Sequence, residues 1–262
     1  MKDDFEALRA MIYSGRGITV GMTPSGNQFI GYSLTGRRPF SQAREVLQGK
    51  KTGTVRTNAT NRKTLEEGSS ALLIYPAIVP LGNALIASNG AQTDLIYSQA
   101  MNVPEFQHPN LLLSHAFGNP SFRYDSQNDR WIDITTYEPD EPNNTPRISA
   151  CLFEDWGAFH IVRCKDGKKD TDITGFELLP GEGKLITTYK GGNETPLLPF
   201  EGEPLEVKIN SETAGGIAEG IYSAIYGGQN QGDNYRVSAA VMLQKKAGGL
   251  ETAIINRSER GN

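Results

Sequence analysis

The sequence predicts an α+β fold built mainly from antiparallel strands. Three observations carry that expectation. Apolar runs of strand length recur along the chain. Gly- and Pro-containing reversals separate several of them. Helical patterns fall in a few blocks instead of alternating with single strands, as βαβ units would require. The 262 residues suffice for one large core. No Gly/Ser-rich or Pro-rich linker divides them, so one domain over 1–262 is expected.

Each element has a local reason. Residues 3–11 read as a short helix, with Asp3 or Asp4 as N-cap and Phe5, Leu8 and Met11 on one face. "RGITVGM" and "QFIGYSLTG" read as a hairpin turned by "TPSGN", Thr23 to Asn27. A polar, Arg-containing segment runs from Arg37 to Arg62. Strands follow at about 71–79 and 84–88, then helices over "AQTDLIYSQAM" and "PNLLLSHAF". More strands are expected at 147–154, 158–164, about 173–178 and 184–189. "SETAGGIAEGIYSAIYGG" is an amphipathic helix with Ile217, Ile221 and Ile225 four residues apart, and strands at about 235–244 and 251–256 follow. Gly-Gly pairs at 191, 215, 227 and 248 read as turns.

Composition narrows the function classes. A net charge of −4, from 26 basic and 30 acidic residues, gives no basic excess for a nucleic-acid footprint. No run is long enough to span a bilayer, and "MKDDFEALRAMIY" has no apolar signal-peptide core, so a cytoplasmic protein is expected. Cys151 and Cys164 sit in apolar, strand-like runs, and buried reduced thiols are the expectation. With three histidines and no Cys-x-x-Cys, no metal-site spacing appears. No dinucleotide or P-loop fingerprint follows a strand. Strand-rich enzymes of this size often associate, so a homo-oligomer is compatible with the sequence.

Four clusters could carry chemistry. In "YSGRGITVG", Gly15 and Gly17 flank Arg16; a backbone that approaches a ligand closely and an ordinary Gly-rich strand both fit. "TGRRPFSQAR" gathers Arg37, Arg38 and Arg44, suited either to clamping a phosphate or to a solvated basic loop. In "ALIASNGAQTD", Ser88 or Asn89 can cap a helix whose free N–H groups suit an anion, though capping needs no ligand. "TTYEPDEPNNTPRIS" is polar yet stiffened by Pro139, Pro142 and Pro146. Glu138 directly follows the apolar "WIDITTY" run, so a place beside a pocket with a raised pKa fits it, while a plain turn between strands fits the segment as well.

Together and in this order, these stretches resemble the archaeal-type inosine monophosphate (IMP) cyclohydrolase family. "SNGAQTD" and "YEPDEPNNTPRIS" are the specific matches, supported by "YSGRGITVG", "GRRPFSQAR" and "LIYPAIV". The resemblance is strongest over about 13–150 and weaker beyond, where length and strand-rich character are the chief likeness. It implies a four-layer αββα fold of the N-terminal-nucleophile hydrolase type. That fold usually hydrolyses amides with a Thr, Ser or Cys freed at position 1; this chain begins Met1-Lys2, which favours a cyclohydrolase without that nucleophile. The implied reaction closes 5-formamidoimidazole-4-carboxamide ribonucleotide to IMP with loss of water, and it calls for no metal or other cofactor. By resemblance, Glu138 is the general acid/base. Tyr75 serves the formyl oxygen, and Arg44 the oxyanion or the base. Arg16, Arg37 and Arg38 are phosphate or ribose binders, Asn89 and Gly90 nucleotide contacts. Arg147 is expected to pair with Asp140. Where some relatives carry Arg-Asn before the last arginine of the basic segment, this chain has Gln42-Ala43. An amide hydrolase on the same fold and a non-catalytic purine-nucleotide binder are the alternatives.

Overall fold

A computed structural model describes residues 4–61, 63, 73–102, 108–226 and 233–260. It is a mixed α/β structure with antiparallel sheets and few helices. The strands are β1 (Arg16–Met22), β2 (Gln28–Thr35), β3 (Arg44–Gln48), β4 (Val55–Ala59), β5 (Pro76–Leu81), β6 (Ala84–Ser88), β7 (Phe122–Asp125) and β8 (Arg130–Asp133). They continue as β9 (Arg147–Phe153), β10 (Trp156–Lys165), β11 (Lys168–Glu177), β12 (Glu182–Thr187), β13 (Leu205–Lys208), β14 (Arg236–Gln244) and β15 (Leu250–Asn256). The helices are α1 (Glu6–Arg9), α2 (Pro39–Gln42), α3 (Gln92–Asn102), α4 (Pro109–Ala116) and α5 (Ala214–Ala224). One sheet runs β13-β12-β1-β2-β14-β15, another β11-β10-β9-β6-β5-β4-β3, and β7-β8 stand as a separate pair. Every paired neighbour is antiparallel.

Strand alternation decides which side chains meet. On β1 and β2, Ile18, Val20, Ile30, Tyr32 and Leu34 share a cluster with Ile78, Leu85, Ile148, Leu152 and Phe159 of the seven-stranded sheet. The opposite side chains of the six-stranded sheet, Phe29, Leu185, Val241 and Leu243, pack with Ile217 and Ile221 of α5 and with Phe5 and Leu8. Those of the seven-stranded sheet, Ile86, Cys151 and Val162, pack with Ile96 of α3 and Leu112 and Leu113 of α4. Gly31 lets α5 sit close: a Cβ there would stand 2.5 Å from Ile221 Cδ1. Gly31→Ala is therefore expected to destabilise the fold by about 1–3 kcal/mol, read as a lower urea midpoint.

Several sequence expectations change. The first helix spans only Glu6–Arg9, and its N-cap is Phe5 in a left-handed conformation (φ 98°). Asp3 lies outside the described residues, and the Asp4 carboxylate instead accepts from the Asn210 backbone N–H at 3.2 Å. Phe5, Leu8 and Met11 do share one buried cluster. The 16–22/28–35 hairpin forms as expected, closed by Thr23 N–H on the Asn27 carbonyl at 2.8 Å. Within the expected strand at 71–79, residues 71 and 72 lie outside the described residues, and β5 begins at Pro76. Arg62 and the 227–228 turn also lie outside them. The polar segment after Arg37 contains β3 and β4. These strands end the sheet and bury few residues, chiefly Val46, Val55 and Thr57, so their apolar signal is thin. β7, β8 and β13 escaped for the same reason. Cys151 is buried, but Cys164 is half-buried; both thiols are free. Among the described residues, no helix is long and apolar enough to cross a membrane.

Candidate active site

Alternation on three strands and one stiff loop builds the site. Arg16 opens β1 in phase with the inward Ile18 and Val20, and Arg44 opens β3 in phase with the buried Val46. Both guanidiniums therefore enter the space between the two large sheets. They line a cavity of about 280 Å³ together with Tyr13, Arg37, Arg38, Glu138 and Tyr189. Hollows of about 530 and 700 Å³ lie elsewhere, but neither gathers guanidiniums round a buried carboxylate.

Glu138 is the centre of the charge arrangement. Its side chain is nearly sealed from solvent. Arg16 Nη2 reaches its two oxygens at 3.5 and 3.4 Å from the cavity side. Arg147 Nη1 stands 3.6 Å from Oε1. Burial raises the Glu138 pKa above the usual carboxylate range, and the positive charges of Arg16 and then Arg147 hold it back. Arg16 Nε is buried without a hydrogen-bond partner, so this guanidinium retains an unused donor.

The loop carrying Glu138 is fastened to itself. Glu138 N–H donates to the Thr145 carbonyl at 2.8 Å. The Asp140 carboxylate accepts from the Thr145 N–H at 2.6 Å and from its hydroxyl. The Thr145 and Tyr189 hydroxyls are 2.7 Å apart. Asn143 accepts from Leu197 N–H at 3.2 Å. Arg147 pairs with Glu138, not with Asp140: Nε donates to the Thr136 carbonyl at 2.7 Å and Nη1 to Gln92 Oε1 at 3.1 Å.

Asn89 and Gly90 lie behind Glu138, away from the cavity lining. Asn89 spends its amide on the protein: Nδ2 donates to the Pro146 carbonyl at 2.8 Å, and Oδ1 accepts from Ile148 N–H at 2.9 Å and Gln92 Nε2 at 2.8 Å. At Gly90 a Cβ would sit 2.7 Å from Arg147 Nη1 and 3.4 Å from Glu138 Oε1, so the missing side chain makes room for the ion pair. Gly15 similarly makes room for a protein ring. Its φ is +72°, and a Cβ would meet Tyr189 Cδ2 at 2.7 Å.

The other predicted arginines divide. Arg37 lies 5.1 Å from the Tyr13 ring centroid and donates to Asn193 Oδ1 at 3.1 Å and the Glu194 carbonyl at 3.2 Å. Arg38 is exposed at the cavity mouth, its guanidinium 6.0 Å from the Phe40 ring centroid. Arg44 is buried and held by Nε on the Ser41 carbonyl at 2.9 Å. Tyr75, just before β5, places its hydroxyl 2.8 Å from that of Tyr32 on β2. Sequence reasoning missed Tyr32, Tyr13 and Tyr189. For Tyr32 a signal was present: alternation sets a tyrosine at a core position, where its hydroxyl must find a partner.

A sequence model described as IMP cyclohydrolase-like protein matches residues 13–109 and 130–248. The chain belongs to the IMP cyclohydrolase-like family. The match runs well past residue 150, so the C-terminal region shares more than length and strand content with this family. Every cavity and loop residue described above falls inside the matched ranges. A curated relative, the IMP cyclohydrolase of Methanococcus maripaludis, is 26% identical over 186 residues, covering 70% of this chain and 78% of the relative. Only residues 110–129 interrupt the family match, spanning most of α4 and the first strand of the β7-β8 pair.

Proposed function

We propose that this IMP cyclohydrolase-like chain is an IMP cyclohydrolase, closing 5-formamidoimidazole-4-carboxamide ribonucleotide to IMP with loss of water. The single observation behind the residue roles is Glu138: a sealed carboxylate between Arg16 and Arg147, at a cavity that Arg37, Arg38 and Arg44 also line. Nucleophile and electrophile lie on one molecule, so positioning can supply much of the acceleration, roughly 7–11 kcal/mol in favourable intramolecular cases. What remains is proton transfer and charge stabilisation.

Each residue then has a task. Glu138 takes a proton from the carboxamide nitrogen as that nitrogen attacks the formyl carbon. Tyr75 gives a proton to the formyl oxygen, with Arg16 and Arg44 offsetting negative charge there. Glu138 next delivers its proton to the hydroxyl, which leaves as water. The proton on the former formamido nitrogen returns to Tyr75, so the site is restored. Arg147, Gly90 and Asn89 hold Glu138 from behind, and Arg37 orders the wall carrying Asn193. Arg38, exposed at the mouth, is the phosphate ligand. The packing clusters support a layer order of αββα. The net charge of −4 offers no basic excess for a nucleic acid, while the arginine-lined cavity suits a small anionic purine ribonucleotide; a cytoplasmic setting follows from the proposed place in purine biosynthesis.

The test is turnover of the formamido ribonucleotide to IMP by the purified protein, followed by its absorbance change. Tight IMP binding without turnover would sink the enzymatic reading. Arg38→Ala is expected to raise KM about 10–100-fold with kcat little changed, the loss of a charge-assisted contact made equally in ground and transition states. An unaltered KM would remove Arg38 from the phosphate site.

A further inference from the structure

One polar pair bridges the two large sheets, and the roles above use only one member of it, Tyr75. Tyr32 comes from the middle of β2, between Ile18 of β1 and Ala240 of β14 in register. Tyr75 comes from the other sheet, where its backbone is fixed on both sides: Tyr75 N–H donates to Thr57 Oγ1 at 3.1 Å, and its carbonyl accepts from Thr57 N–H at 3.0 Å. The hydroxyls meet at 2.8 Å. Tyr32 is fully buried, and Tyr75 nearly so. The positive charges of Arg16 and Arg44 are felt at both hydroxyls.

One hydrogen bond joins two hydroxyls, so only one of the two protons lies in it. Tyr32 shares an apolar cluster with Ile18, Ile30, Leu34 and Ala240, and Tyr75 belongs to the same cluster, just behind the cavity lining. Either hydroxyl can donate, and whichever does leaves the other proton in apolar surroundings. Once the Tyr75 proton has left, Tyr75 Oη can only accept, and Tyr32 is then the donor in this bond.

We propose that Tyr32 is a positioning residue for ring closure: its hydroxyl holds Tyr75 Oη in place and donates to it as the Tyr75 proton passes to the formyl oxygen, steadying the tyrosinate left behind. The proposal rests on the role given to Tyr75 above. No atom of Tyr32 touches substrate. The Tyr75 O–H bond breaks, the new O–H bond forms on the substrate oxygen, and the proton returns when the ring dehydrates.

The experiment compares wild type, Tyr32→Phe, Tyr75→Phe and the double variant in steady-state turnover, with IMP affinity and thermal unfolding as controls on folding. Tyr32→Phe is expected to lower kcat roughly tenfold, the worth of one hydrogen bond to a developing charge, with KM and IMP affinity within about twofold. In the Tyr75→Phe background, Tyr32→Phe is expected to cost nothing further. Wild-type kcat in Tyr32→Phe, losses that multiply in the double variant, or a KM effect alone would each overturn the proposal. A wild-type protein without turnover would instead overturn the cyclohydrolase reading, and unimpaired Tyr75→Phe the role of Tyr75, each distinguishable from failure of Tyr32 itself.

Discussion

Glu138→Gln is expected to lower kcat by about 10²–10⁴-fold, the usual worth of a positioned general acid–base. Gln keeps the shape and one acceptor oxygen for Arg16 and Arg147, so IMP affinity should change little. The pH profile is the sharper reading. A base must be ionised to act, so wild-type kcat rises with pH as Glu138 loses its proton. Burial sets that rise above the ordinary carboxylate range, against the pull of Arg16 and Arg147. In Glu138→Gln the acidic limb should vanish along with most of the rate. Retained activity, or an unchanged limb in the residual rate, would remove Glu138 from proton transfer.

The second large effect is expected at Arg147, which does not line the cavity and so can be changed without removing a direct ligand. Arg147→Met deletes one of two cations beside Glu138. The carboxyl is then held back chiefly by Arg16, its pKa rises further, and the acidic limb of kcat moves to higher pH. Activity lost at neutral pH should partly return in alkaline buffer. Stability should fall by about 3–5 kcal/mol, because removing one partner of a buried pair strands the other. The Thr136 carbonyl and Gln92 Oε1 lose their donor as well. Arg147→Lys should keep the limb nearer its wild-type place while losing the two-direction grip of the guanidinium. Urea titration and kcat measured against pH check both parts; a limb that stays put in Arg147→Met would show that Arg147 does not tune Glu138.

Much of the fold was legible. The β1-β2 hairpin, α3, α4, α5 and the long strands β9, β10 and β14 have strong local patterns: apolar-rich runs of strand length, Gly and Pro turns, or isoleucines at helical spacing. The edge strands β3 and β13 and the β7-β8 pair were not, because a strand with one wet face and few buried residues looks like a loop. The site was legible in a different way. Arg16, Arg44, Glu138 and Tyr75 stood out through motif order. Gly15 and Gly90 were noticed too, but for a different purpose: the cleared space admits Tyr189 and Arg147. The stiffness of "YEPDEPNNTPRIS" was visible from its prolines, yet its main fastening is Asp140 on Thr145, a short-range bond that composition does not announce.

By itself the sequence determined the α+β class, the order of the site-bearing stretches and, through them, the family. These depend on periodicity and on neighbours within a dozen residues, which a linear chain displays directly. Only the tertiary structure decided that Glu138 lies between Arg16, 122 positions away, and Arg147, that Arg37 is tied to Asn193 while Arg38 is exposed, and that Tyr32 meets Tyr75. Ion pairs, hydrogen-bond direction and pKa depend on distance and burial across two sheets. Those quantities come into being when the strands pair and the sheets pack, and no local pattern carries them.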